Sequence, residues 1–212
     1  MNGLQRVWYT LVQQVARVVC VLAFGLRVEH MDRFPKKGGV LVVANHQSFL
    51  DPILVAVGMP RPFHPMARDS LFRFAPFRWL IRSLGAFPVR RGTADLNAVR
   101  GTLRRLRKGA VILMFPEATR TRDGSIGLLQ GGPATIAARA GVPILPMVIE
   151  GAFEAWPRTR LLPRLHPIRV AYGKAVRVEN VAAMDPKETM AVVRRQMVDL
   201  QKELRRRLRA GA

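Results

Sequence analysis

The chain contains four histidines, and only His46 lies in a polar turn with a carboxylate, Asp51, five residues later. An imidazole can accept a hydroxyl proton near neutral pH, and a carboxylate bonded to its other nitrogen fixes the tautomer and orientation of the ring. His46 and Asp51 could therefore activate a hydroxyl group without a separate protein nucleophile. The alternative is a turn histidine followed by an aspartate that caps a helix.

A second group of charged residues lies in the segment FPEATRTR, residues 115–122, which contains Glu117, Arg120 and Arg122. Two arginines spaced two residues apart on extended backbone point the same way, and guanidinium groups bind phosphate through paired hydrogen bonds. Arg90 and Arg91 could add to the same anion site. The segment predicts a phosphate clamp or, alternatively, a set of solvated surface charges in an arginine-rich chain.

Both groups follow short apolar runs that are typical of buried strands. VLVVA (residues 40–44) precedes His46, and AVILMF (residues 110–115) leads into Glu117. Loops at strand ends are where α/β folds expose reactive side chains. Further strands are predicted over residues 63–67, 85–90, 142–149 and 168–173. Helices are predicted from Asp51, over residues 70–84, 93–108 and 133–140, and from Asp185, where the sequence DPKE has the form of a capping box. This alternation predicts one α/β domain with helices against a sheet.

Residues 1–27 are predicted to form an amphipathic, membrane-docking helix in front of a domain over residues 28–212. Apolar residues recur at helical spacing, namely Leu4, Trp8, Leu11, Val15, Val18 and Leu22. This pattern suits a helix in the headgroup layer, and a core-packed helix or a true membrane span are the alternatives. A second docking surface is predicted where aromatic residues alternate with arginines, with Phe72, Phe74, Phe77 and Trp79 as its members.

Composition restricts the partners. The 212 residues carry 35 Lys and Arg against 14 Asp and Glu, a formal net charge of +21. Such a chain binds polyanions, which include nucleic acids, anionic membranes and phosphorylated substrates. No zinc-ligand spacing and no aromatic RNA-binding motif occur, so nucleic acid is not expected. The apolar share of 49% excludes a disordered chain, and the single Cys20 excludes a disulfide scaffold.

Four segments carry a resemblance to a known family. They are, in chain order, NHQSFLD (45–51), GAFPVRR (85–91), FPEATR (115–120) and VPILPM (142–147). They resemble the four sequence blocks of the glycerolipid acyltransferases, especially the 1-acyl-sn-glycerol-3-phosphate acyltransferases, over roughly residues 28–178. The resemblance implies a single α/β domain with a mixed, mostly parallel sheet flanked by helices.

The resemblance also implies roles for particular residues. His46 would be the general base and Asp51 its orienting partner. Four residues would bind the acceptor, namely Arg91, Glu117, Arg120 and Arg122. Ala118 stands where the family usually has glycine, which bears on the identity of the acceptor more than on the reaction type.

The implied reaction transfers a fatty acyl group from acyl-CoA or acyl-carrier protein to the hydroxyl of lysophosphatidate, without a metal or other cofactor. The alternative acceptors are a lyso-ornithine lipid, a glycolipid or another lysophospholipid. The expected location is the cytoplasmic face of the cell membrane, as a peripheral or monotopic protein that contacts anionic lipids.

Overall fold

Seven short strands form one twisted layer in the computed structural model, which describes residues 3–89 and 96–210. The strands are β1 (Arg27–Glu29), β2 (Val40–Ala44), β3 (Phe63–Arg68), β4 (Phe87–Val89), β5 (Val111–Met114), β6 (Ile144–Glu150) and β7 (Arg169–Tyr172). The order across the sheet is β1-β7-β6-β2-β5-β3-β4, and every neighbouring pair is parallel except β6 and β7. The predicted mixed, mostly parallel sheet is therefore confirmed.

Helices cover both faces of the sheet, which explains why β2, β5 and β6 are apolar along almost their whole length. The helices are α1 (Gly3–Phe24), α2 (Asp51–Gly58), α3 (Ala75–Ser83), α4 (Leu96–Arg107), α5 (Gly132–Ala140), α6 (Ala152–Ala155), α7 (Val178–Ala183) and α8 (Pro186–Ala210). Val40 and Val42 of β2 face the layer that contains α1 and α2, whereas Leu41 and Val43 face the layer of α4, α5, α7 and α8.

Helix α1 packs one face against the domain and exposes the other. One face belongs to the core, where Tyr9, Cys20 and Phe24 are buried. The Gln13 side chain donates hydrogen bonds to two carbonyls at the end of α2, at 2.7 and 2.8 Å. Five of the six residues in the predicted apolar stripe are 57–81% exposed on the other face. Among the described residues α1 is the one helix that is long and apolar enough to cross a membrane, by length and composition only.

The segment predicted as one helix over residues 70–84 is instead a 3-10 turn, Asp69–Phe72, followed by α3. Pro76 explains the break, because it has no amide hydrogen to continue a preceding helix but is well placed in a first turn. Of the predicted docking aromatics, Phe74 and Trp79 are exposed, whereas Phe72 is buried beneath the Arg82 guanidinium. The prediction of a docking surface is therefore wrong for Phe72.

The predicted start of α8 agrees with the structure. The Asp185 carboxylate accepts hydrogen bonds from the amides of Lys187 and Glu188, at 2.8 and 3.4 Å. The apolar face of α8 then runs over β6 and α5, with its buried members at Met190, Val193, Met197, Leu200 and Leu204. The short elements β1, α6 and α7 were not predicted, because three to six residues are too few to show a hydrophobic period.

Candidate active site

The His46 and Asp51 side chains meet at the carboxyl end of β2. His46 Nδ1 lies 2.7 Å from Asp51 Oδ2, and because a carboxylate only accepts, the ring proton is assigned to Nδ1. The same Oδ2 atom accepts from the amides of Gln47 and Ser48, at 2.6 and 2.8 Å. These bonds run backward into the turn rather than forward into α2, so Asp51 is not a helix cap. The same carboxylate oxygen therefore holds both the turn and the imidazole of the His46–Asp51 pair.

Burial dominates the electrostatics of this carboxylate. The Asp51 side chain has no exposed surface, and desolvation raises its pKa, while the bonds from His46, Ser48 and Gln47 oppose that rise. The His46 ring is stacked on Phe115 with ring centroids 4.4 Å apart and keeps 13% of its side-chain surface exposed. With Nδ1 bonded to Asp51, Nε2 carries the lone pair that can accept a proton from a substrate.

Glu117 links the histidine turn to the loop after β5. Its Oε1 atom accepts from the His46 amide at 3.0 Å, and its Oε2 atom accepts from the Gly127 amide at 3.1 Å. Burial raises the pKa of Glu117, and the two amides oppose this rise. The Thr121 amide also donates to the His46 carbonyl at 2.8 Å. Glu117 therefore supports the backbone of His46, and its predicted contact with the acceptor stays a prediction.

The arginines of the predicted clamp have different surroundings. Arg120 is half-buried, with its guanidinium carbon 3.6 Å from the centroid of the Phe49 ring, whereas Arg122 is exposed. The predicted clamp requires extended backbone, but the segment turns and bends over residues 116–119 and 122–124. The Arg120 guanidinium lies against the histidine turn, on the Phe49 ring. Arg90 and Arg91 lie outside the described residues.

A buried polar network behind the site was missed by sequence reasoning. The Gln47 side chain donates to the Gly124 carbonyl at 2.9 Å and to Glu150 at 3.3 Å. From α8, Gln201 and Arg205 donate to the same carbonyl and the same carboxylate, with Arg205 2.6 Å from Glu150. Burial raises the pKa of Glu150, and Arg205 is its largest opposing partner. The only sequence signal was a Gln and an Arg four residues apart on α8.

Ala118 occupies a conformation that favours glycine. Its φ is +61°, in the left-handed region, within the tight turn that follows β5. The Ala118 amide donates to the Phe115 carbonyl at 3.2 Å and the Thr119 amide to the Glu117 carbonyl at 2.7 Å. An L-residue with a Cβ is strained there by about 1–2 kcal/mol. The position at which the chain departs from the family pattern is therefore one where the backbone requires a positive φ.

The sheet is mostly parallel and carries the His–Asp pair at the end of its central strand β2. The sequence profile of the Acyltransferase family matches residues 25–150. The chain therefore belongs to the acyltransferase family, and the predicted membership is confirmed.

Individual relatives and one solved structure agree with this assignment. The chain is 24% identical over 201 residues to the 1-acyl-sn-glycerol-3-phosphate acyltransferase of Bacillus subtilis, covering 94% of this chain and 98% of that protein. It is 28% identical over 137 residues to the chloroplastic enzyme of that name from Arabidopsis thaliana, covering 63% of this chain but only 38% of the relative. The crystal structure of the 1-acyl-sn-glycerophosphate acyltransferase of Thermotoga maritima has the same fold, with a TM-score of 0.77 at 23% identity, covering 93% of this chain and 82% of that one.

We expect Ala118→Gly to stabilise the protein. Glycine removes the Cβ strain but adds entropy to the unfolded chain, so the expected net gain is up to about 1 kcal/mol in the free energy of unfolding. Urea titration measures it. The matched control is Ala191→Gly at an exposed position inside α8, which should cost about 1 kcal/mol. Equal losses in both variants would contradict the strain at Ala118.

Proposed function

We propose that this chain transfers a fatty acyl group from a thioester to the free hydroxyl of 1-acyl-sn-glycerol 3-phosphate, giving phosphatidate. The observation that carries the proposal is the 2.7 Å contact between His46 Nδ1 and Asp51 Oδ2 at the end of a central strand, with the imidazole partly exposed. The acceptor is proposed from the names of the relatives and from the Arg120 guanidinium beside the histidine turn. The donor is acyl-CoA or acyl-carrier protein.

The dyad accounts for the proton transfers of this reaction. His46 Nε2 takes the hydroxyl proton as the oxygen attacks the thioester carbonyl, and the buried Asp51 carboxylate stabilises the imidazolium that forms. The tetrahedral intermediate then breaks its carbon–sulfur bond. The leaving sulfur receives the proton from His46, which restores the neutral ring. Every step uses groups of the protein and the two substrates.

Arg120 is proposed to hold the acceptor phosphate. Stacking on Phe49 fixes the plane of its guanidinium, and Phe49 lies three residues after His46 in the same turn. A planar fork that is already oriented loses less entropy when it binds phosphate. Arg120 therefore positions the acceptor hydroxyl relative to His46, which contributes proximity rather than bond chemistry. Arg91 and Arg122 are proposed to add positive charge.

We expect His46→Ala to lower kcat by about 10²–10⁴-fold, because the general base is lost. Asp51→Asn should also cost heavily, because an amide can leave the imidazole in the wrong tautomer. The measurement is acyl transfer from acyl-CoA and from acyl-carrier protein to lysophosphatidate, with circular dichroism as the folding control. His166→Ala, which changes a half-buried histidine in the loop before β7, should retain parental turnover. A folded His46→Ala protein that retains a third of the activity would refute the general base.

The same assay identifies the acceptor. The parent chain is offered lysophosphatidate, a lyso-ornithine lipid, a lyso-glycolipid and lysophosphatidylcholine with one acyl donor. The proposal expects the highest kcat/KM with lysophosphatidate. If another lyso-lipid is acylated and lysophosphatidate is not, that lipid replaces lysophosphatidate as the proposed acceptor. The proposed role of His46 and Asp51 would be unchanged.

We expect Arg120→Ala to raise the KM for lysophosphatidate by at least about tenfold, because a charge-assisted hydrogen bond contributes about 1.5–3 kcal/mol. The KM for the acyl donor should change little. Arg120→Lys keeps the charge but loses the planar fork, so an intermediate effect is expected. Arg122→Ala is the exposed comparison two residues away. An equal rise in both KM values for Arg120→Ala would assign Arg120 a role other than acceptor binding.

We further propose that the protein docks on the anionic cytoplasmic leaflet, where its lipid acceptor lies. The exposed apolar stripe of α1, the exposed Phe74 and Trp79, and the net charge of +21 support this location. An apolar helix face enters the headgroup region, and nearby cations contribute about 1 kcal/mol each at an anionic surface. Deleting α1 would not test the idea cleanly, because the deletion also removes three core residues.

We therefore expect the triple variant Leu11→Gln, Val18→Gln and Leu22→Gln to lose binding to anionic vesicles in high salt. All three side chains are exposed on α1, so the melting temperature should stay close to that of the parent. Burial of each apolar side chain contributes about 1.5–3 kcal/mol when complete, so a loss of at least about tenfold is expected. Co-sedimentation at low and high salt measures it. Binding equal to the parent at high salt would show that this stripe does not face lipid.

A further inference from the structure

The segment between α6 and β7, residues 157–167, here called the leucine loop, exposes apolar side chains. Leu161, Leu162 and Leu165 are 89%, 71% and 79% exposed. A single exposed leucine is ordinary on a protein surface, but three within five residues form an apolar patch that marks an interaction site.

The base of the leucine loop is held by hydrogen bonds. The Arg164 side chain donates to the Glu154 carbonyl at 2.6 Å, and its amide donates to the Ala155 carbonyl at 2.9 Å. The Trp156 indole donates to the Arg160 carbonyl at 3.1 Å. The leucines therefore project from a backbone whose two ends are fastened together, so their exposure belongs to a structured loop.

The charges of the leucine loop favour an anionic lipid surface. Arg158, Arg160 and Arg164 alternate with the leucines, and residues 157–167 contain no acidic residue. Arginine heads interact with lipid phosphates while leucine side chains enter the apolar boundary beneath them. A basic apolar tip of this kind is complementary to an anionic bilayer.

The position of the leucine loop links α1 to the active site. Directly after the loop, the Ile168 amide donates to the carbonyl of Phe24, the last residue of α1, at 2.9 Å. Directly before the loop, the Trp156 carbonyl accepts from the Ser48 hydroxyl at 2.7 Å, and the Trp156 ring lies 5.3 Å from that of Phe49. Phe49 is the ring on which Arg120 is stacked. The leucine loop therefore lies between the C-terminal end of α1 and the proposed acceptor site.

We infer that the leucine loop inserts into an anionic leaflet beside the active site and brings Arg120 to the level of the lipid headgroups. This inference rests on the proposed function, because it assumes that the acceptor lies in a bilayer. Insertion matters for an acceptor embedded in the leaflet and not for a short-chain acceptor that is monomeric in water. Comparing turnover of the embedded acceptor with turnover of the soluble acceptor therefore distinguishes an effect on membrane docking from an effect on the acyl-transfer step.

The test is the full chain with Leu161→Ser, Leu162→Ser and Leu165→Ser together. Binding to phosphatidylglycerol–phosphatidylcholine vesicles should fall by at least about tenfold, as should turnover of vesicle-embedded lysophosphatidate. Turnover of a short-chain, water-soluble lysophosphatidate should stay within about twofold of the parent. The matched control is Leu96→Ser, which changes an exposed leucine of α4, a helix on the opposite face of the sheet.

A fluorescent probe reports insertion directly. Cys20 is buried, so a Leu162→Cys variant can be labelled selectively with an environment-sensitive dye. Its emission should shift to the blue on anionic vesicles, whereas a dye on Leu96→Cys should not respond. An unshifted dye on Leu162→Cys that is bound to vesicles would overturn the inference.

The remaining outcomes also decide the question. Unchanged vesicle binding by the triple serine variant would overturn the inference. An equal loss of short-chain turnover would overturn it as well, because the leucines would then support the active site itself. A change from dimer to monomer without a change in vesicle binding would also overturn it and would assign the patch to a second copy of the chain. If the parent acylates neither form of lysophosphatidate, the proposed function fails, and the binding and dye measurements still decide insertion.

Discussion

A carboxylate that is completely removed from water, as that of Asp51 is, must receive hydrogen bonds from the protein. Its donors are the His46 ring and the amides of Gln47 and Ser48. To point these amides at one oxygen atom, residues 46–48 must form a tight turn. Asp51 also begins α2, where a helix N-terminus favours a negative charge. The buried charge therefore determines the turn, and the turn determines the direction of the imidazole.

Two other carboxylates connect this turn to the remainder of the fold. Glu117 joins the His46 amide to the Gly127 amide, and Glu150 joins Gln47 to the side chains of α8. Both connections depend on the parallel pairing of three strands, because β2 lies between β5 and β6 and all three strands end at the same edge of the sheet. The long C-terminal helix thus acts on the site through hydrogen bonds to the loops that surround it. Removing a single partner of such a network leaves other buried polar groups unsatisfied.

Sequence reasoning succeeded where the interaction is local or where a strand is fully buried. The apolar runs of β2 and β5 were recognised, and His46 and Asp51 are only five residues apart. It failed where the partners are distant in the chain. The contact of Gln47 with Glu150 spans 103 residues, and that of Glu150 with Arg205 spans 55. No periodicity encodes such pairs, because they depend on how the layers pack.

Helix α1 shows why an apolar stripe by itself does not identify the core face of a helix. In a soluble domain such a stripe usually faces the interior, which was one alternative for α1, yet the structure leaves Leu4, Leu11 and Leu22 exposed. The polar Gln13 turns inward instead, because the end of α2 offers two carbonyls that need donors. A helix with apolar residues on both faces is not stabilised by contact of its outer face with water, because exposed apolar surface is unfavourable there. An apolar medium on that side would remove the exposed stripe from water, which is the favourable direction for apolar side chains.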